Sequence, residues 1–152
     1  MSGDSTSSKT SALLAIAAGG GIAGTLDLLQ ACILFGGRIP LVIAAGLLGR
    51  QALHGGVGTY ILGVCLHFLI ACSATAIYYA TSRKLRFLIE HPLVCGLFYG
   101  IAVELVMSYI VLPLSALHAR GPYELKGVLL GLAVHMVVVG LPIAFSVRRF
   151  GK

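Results

Sequence analysis

The chain has 152 residues, 58% of them hydrophobic and only 11% charged, with a mean hydropathy of +0.98. Soluble domains are about half apolar and a quarter charged, so this composition excludes a disordered chain and a disulfide scaffold and argues against a soluble enzyme domain. The net charge of +6 is held in short clusters beside apolar runs, with no basic-aromatic groove. The expected partner is therefore a lipid bilayer with anionic head groups, and not nucleic acid.

Residues 1–11 are polar and Ser-rich, lack the basic stretch of a secretion signal, and are expected to form a disordered tail. The first apolar run, Ala12–Phe35, is rich in small residues. It exceeds the ~20 residues that cross a bilayer as helix. Residues Ile39–Leu48 are apolar, opened by Pro40 and closed by Gly49-Arg50. They are too few to cross, and are expected to form an interfacial or re-entrant helix. A second span covers Thr59–Ala80 and ends in Tyr78-Tyr79, a pair suited to an interfacial belt. The third, Leu93–Leu112, follows His91-Pro92 and is expected to stop at Pro113. The fourth is Gly127–Val147, with a kink expected at Pro142, followed by a basic tail over 148–152. The fold class is all-α: a polytopic membrane protein whose residues 12–147 form one four-transmembrane-helix bundle.

The four cysteines, Cys32, Cys65, Cys72 and Cys95, show no C-x-x-C spacing and read as small buried hydrophobes. Four spans put both termini on one side. That side collects Lys9, Arg83, Lys84, Arg86, Arg148, Arg149 and Lys152, against Arg38, Arg50, Arg120 and Lys126 on the other. The positive-inside rule then puts the termini in the cytoplasm.

Each span carries one ionisable group: Asp27, His67, Glu104 and His135. A charge at mid-membrane costs about 2.5–3.5 kcal/mol, so such groups need partners or a wet cavity. With about 1.5 Å of rise per residue, all four lie in one layer, displaced by a few ångströms to the same side of centre. Gly63, Gly100 and Gly131 each precede the ionisable group by four, and Ala23 and Gly24 flank the same face before Asp27. Residues four apart share a helix face, and small residues let helices approach closely. Spans two and four share L-G-x-x-x-H (Leu62–His67, Leu130–His135). Spans one and three share G-x-x-x-[AG]-x-x-x-[DE]-L, ending at Asp27-Leu28 and Glu104-Leu105. The chain thus reads as two similar helical hairpins, a parallel repeat offering one acid and one histidine each.

The small-residue first span, the Gly63-to-His67 motif, the Pro40-Leu41 corner and Glu124 before the last span together resemble the YagU-like family of small bacterial inner-membrane proteins. The likeness runs over most of the chain, with shorter loops here, and implies a bacterial inner-membrane location without supplying a reaction.

Three readings of the polar layer follow. As structural glue, Asp27 pairs with His67 and Glu104 with His135, although such contacts are worth only about 0.6 kcal/mol on average in membranes. As a proton or ion relay, the four groups form the centre of a transport component, with Thr25, Ser73, Thr75, Ser108 and Tyr109 available to line a water path. As a ligand set, they hold a divalent metal (zinc, manganese or iron), or His67 and His135 ligate haem b, with Gly63 and Gly131 making room for the ring. Two acids beside a porphyrin count against haem. Protease-type motifs are missing, and no enzyme is expected. A small proton- or ion-linked transport component is the leading expectation; a metal- or haem-binding protein and an accessory subunit of a larger complex are the alternatives. The loop histidines His54, His91 and His118 read as solvent or head-group contacts, with His54 beside Gly55-Gly56 a candidate guard of an outer entrance. Small residues left over on span one, Gly20 and Gly24, suggest a homodimer.

Overall fold

The computed structural model describes residues 3–120 and 124–151, with side chains from Lys9 onward. Six helices follow in order: α1 (Gly3–Phe35), α2 (Ile39–Leu48), α3 (Val57–Lys84), α4 (Phe87–Glu90), α5 (Pro92–Leu114) and α6 (Leu125–Phe150), with a 3-10 turn at Arg50–His54 between α2 and α3. There is no strand among the described residues. The Lys9–Phe35 part of α1, together with α3, α5 and α6, is long and apolar enough to cross a membrane, at 27, 28, 23 and 26 residues. At about 1.5 Å per residue each exceeds a hydrocarbon core of roughly 30 Å. Gly36 (φ 95°) and Gly49 (φ 83°) end α1 and α2 in the left-handed region, where a side chain would be strained.

Several boundaries differ from expectation. The helix begins at Gly3 where a disordered tail was expected over 1–11, because extending an established helix fixes only one residue per added hydrogen bond; residues 1–2 of that tail lie outside the described residues. At the other end α6 continues past Val147 and takes Arg148 and Arg149 into its last turn, where cations complement the helix dipole. Lys152 of the expected tail lies outside the described residues. Pro113 does not stop α5. Five residues, Met107–Val111, take π-type bonding immediately before the proline, and the helix runs to Leu114. The wider turn absorbs the lost donor and the clash of the ring with the carbonyl four residues back. In α6 the same arrangement, π bonding over His135–Gly140, precedes Pro142. Of the Pro113–Lys126 connection, residues 121–123 are not described.

α1 packs against α3 on one side and α6 on the other, and α5 packs against α6. Glycines set the distances. A Cβ on Gly20 would strike the Cys72 backbone and one on Gly24 the Phe68 ring, so the α1 face expected to be left over for a homodimer is filled by α3. Ala15, Ala23, Tyr78, Val139, Ile143, Ala144 and Val147 form the core, weighted toward the end of the bundle that carries the termini. Tyr78, expected in an interfacial belt, is 1% exposed, because its ring stacks edge-on against Tyr99 at 4.9 Å and its hydroxyl donates to the Leu88 carbonyl at 3.0 Å. Cys65 is exposed on the outside of α3, while the other three cysteines are partly buried and all four are free thiols.

At the opposite end α2 folds back on α3, and a Cβ on Gly63 would land on the Pro40 carbonyl. Ala44, Ala45 and Ala52 are buried there under Leu53 and Leu117. Arg38 donates to the Leu53 carbonyl at 2.6 Å, and the Ala116 N–H donates to the Gly46 carbonyl at 2.8 Å. Those bonds tie α2, the 3-10 turn and the loop after α5 into a cap.

Candidate functional site

Because α1 and α6 occupy the middle of the bundle, α3 and α5 diverge beneath the cap. A cavity of about 530 Å³ lies between them. Its roof is α2 (Val42, Ile43, Gly46, Leu47), and Leu66, Ile70, Val103 and Met107 contribute to its walls. The volume falls within the ~300–1,000 Å³ of ordinary small-ligand clefts, and the walls are apolar as such clefts usually are. The polar side chains on its lining are few: Asp27 from α1, His67 from α3, His135 from α6 and Ser115 just after α5.

His67 and Asp27 form the looser pair, with Nε2 to Oδ2 at 3.9 Å and side chains 13% and 19% exposed. The Nε2 instead bonds the Gly24 carbonyl at 2.8 Å. A carbonyl only accepts, so Nε2 carries a proton, and on a neutral ring Nδ1 is then the acceptor. No buried side-chain nitrogen or oxygen among the described residues lacks a partner. The unbonded Nδ1 is therefore an accessible atom, on a residue that lines the cavity.

Glu104 and His135 form the tighter pair. Oε2 lies 3.0 Å from His135 Nδ1, which also faces the Gly131 carbonyl at 3.1 Å, while Ser108 donates to Oε1 at 2.8 Å. With two acceptors before it, Nδ1 holds the proton of His135 and Nε2 is left accessible. Glycines make this pair possible. A Cβ on Gly131 would sit 2.7 Å from Glu104 Oε1, and one on Gly100 would collide with the His135 carbonyl. The backbones of α5 and α6 thus touch where their acid and imidazole meet. Both π segments begin here, one at His135 itself and the other three residues after Glu104, a common place for such turns.

The four predicted groups therefore stand as two acid–histidine pairs, three members of which share one cavity. Of the residues expected to line a water path, only Ser108 joins the site. Thr25, Ser73 and Tyr109 are exposed on the outside of the bundle, and Thr75 is fully buried, bonding the Ala71 carbonyl against Gly19. The supporting glycines divide: Gly24, Gly100 and Gly131 pack at the pairs, whereas Gly63 serves the cap. Sequence reasoning missed the α2 roof and the Gly24 carbonyl as His67's acceptor. The spacing of Gly24 with Asp27 was the available signal for the latter.

A metal or haem does not fit these residues. Among the described residues no group of three or more His, Cys, Asp or Glu could hold an ion. The space beside Gly63 and Gly131 is filled by Pro40 and Glu104 and cannot admit a porphyrin edge. His54 and His118 are exposed in the cap region, the latter at φ 47° with Nδ1 3.3 Å from the Pro113 carbonyl. His91 is exposed at the terminal end and lines a second cleft of about 550 Å³ between α3, α4 and α5. Tyr78 and Tyr99 line this second cleft, and Tyr99 donates at 2.6 Å to the carbonyl of Ala74, which lines the first. No known protein family, curated protein or solved structure matches the chain.

Proposed function

We propose that this chain is a multi-pass membrane protein of the bacterial inner membrane, with both termini cytoplasmic, that serves as a small proton-linked transport component. Its two similar hairpins divide the work. Asp27 and His67 carry the proton, while Glu104 and His135, bonded to each other and to Ser108, hold the floor of the cavity in place. The observation that carries this reading is an accessible acid–histidine pair at the base of a cavity that ends at the packed terminal half.

The steps balance within the pair. A proton arriving through the cavity adds to His67 Nδ1 and makes an imidazolium. Nε2 stands 3.9 Å from Asp27 Oδ2, and a small ring rotation away from the Gly24 carbonyl brings its proton to the carboxylate. His67 returns to neutrality as the Nδ1–H tautomer and Asp27 holds the proton; release of that proton from Asp27 toward the terminal side and return of the ring to its Nε2–H tautomer complete the cycle. An apolar wall around this pair strengthens its electrostatics and keeps bulk water from short-circuiting the transfer.

Proteoliposomes containing an internal pH dye test the reading, with a valinomycin-set potassium potential as the driving force. The wild type is expected to acidify the lumen, and Asp27→Asn to reduce the rate at least tenfold. Glu104→Gln is expected to slow flux and lower thermal stability together. A wild type that moves no protons, or flux unchanged in both variants, overturns the reading and leaves the pairs as interhelical glue.

A further inference from the structure

The second cleft lies at the terminal end, away from the polar pairs. It has the volume of a small-ligand site, and Leu85, Phe87, Val94 and Phe98 of its apolar lining are exposed toward the surroundings of the bundle. The turn between α3 and α4 closes it. On that turn Lys84 and Arg86 flank the lining residue Leu85, and Arg83 is drawn aside onto the Tyr79 ring at 5.2 Å. His91 stands exposed on the lining, and the acid of this segment, Glu90, lies one turn after Arg86 without forming an ion pair with it. A greasy slot with two exposed cations next to its lining, on either side of Leu85, matches an amphiphile with an apolar tail and an anionic head.

From this geometry we infer that the cleft binds an anionic phospholipid of the surrounding leaflet, one acyl chain lying between α3 and α5 and the phosphate held by Lys84 and Arg86. The inference needs only the membrane-embedded part of the function proposed above, not the proton relay. Charge complementarity selects the occupant. A zwitterionic lipid brings its own ammonium to the two cations, while an anionic one leaves its phosphate charge unopposed. Each basic residue at a membrane surface strengthens such binding by about fivefold, from about 1 kcal/mol per residue.

The chain contains no tryptophan, so Phe98→Trp puts a single indole on the cleft and Leu13→Trp puts one on the exposed side of α1 as a general lipid reporter. Each full-length protein is reconstituted in nanodiscs of phosphatidylcholine, and acyl-brominated phosphatidylglycerol or phosphatidylcholine is titrated in. At the cleft, half-maximal quenching is expected at a roughly tenfold or more lower fraction of the anionic lipid, with no preference at position 13. Adding Lys84→Gln and Arg86→Gln to Phe98→Trp is expected to remove the preference. Equal quenching by the two lipids at position 98, or a preference that survives loss of both cations, overturns the inference. Retention of the protein in carbonate-washed membranes reports embedding separately, and Asp27→Asn, which disables the proposed relay, is expected to leave the lipid preference intact.

Discussion

A single carbon at position 100 would meet the His135 carbonyl and stand 2.5 Å from the Met136 Cα, so the contact between α5 and α6 exists only because Gly100 has no side chain. Backbone cannot yield as a flexible side chain can, and overpacking of this kind costs about 1–3 kcal/mol. Gly100→Ala is expected at or above the top of that range in thermal unfolding of the detergent-solubilised protein, with loss of the Glu104–His135 contact. Gly21, with nothing within 4 Å of a built Cβ, is the control. Gly21→Ala is expected to be neutral or to gain roughly 0.5–1 kcal/mol through helix propensity. Equal melting shifts would show that the close approach is not what holds the pair. The acid–histidine pairs were legible in the sequence because charges in apolar runs are expensive and few, so the partners were limited. What each glycine met was not legible. Gly63 and Gly131 occupy the same place in a repeated motif, yet one accommodates the Pro40 carbonyl and the other the Glu104 carboxylate.

At the scale of the helix, the prolines were visible and their consequence was not. A proline in a long apolar run announces lost hydrogen bonds, but whether the helix stops, kinks or widens depends on what its neighbours require. Here both prolines follow π segments, and in α6 this leaves Ile143, Ala144 and Val147 completely buried in the core. A π turn holds one residue more than an α turn needs. Deleting the exposed Val137 should therefore let α6 return to regular α bonding with the core residues still on their face, at the cost of restoring the lost donor and ring clash at Pro142, about 3 kcal/mol. Deleting Ile22 from the uninterrupted α1 has no such reserve. It rotates one half of α1 by about 100° relative to the other, separating Asp27 from His67 or Gly19 and Gly20 from α3. The Val137 deletion is expected to elute as a single species and melt cooperatively, the Ile22 deletion to aggregate. If the two deletions behaved alike, the π segment would be incidental to the fold.

Across the whole molecule, the order α3–α1–α6–α5 explains why the cavity has one wall missing. A two-fold relating the hairpins would make the α1–α6 and α3–α5 contacts equivalent, but the first is closed by small residues and the second is held apart under the α2 cap. Sequence periodicity had little power here. Ile33, Leu69, Phe98 and Val137 are as exposed as they are apolar, and a helix that meets grease on all sides shows no stripe to mark its inner face. Hence Thr25, Ser73 and Tyr109 looked available to a water path from which the fold excludes them. The same ordering points to Tyr99 as the residue to test for the proposed transport, since it lines the second cleft and bonds the carbonyl of Ala74, which lines the first. Tyr99→Ala is expected to join the two clefts and raise the rate of lumen acidification at least tenfold over the wild type under the same valinomycin-set potassium potential. Tyr99→Phe keeps the ring, loses a hydrogen bond worth about 1 kcal/mol, and is expected to keep the wild-type rate with a slightly lower melting temperature. A folded Tyr99→Ala protein that keeps the wild-type rate would mean that the core around Ile143 and Val147, rather than the tyrosine pair, is what separates the two sides.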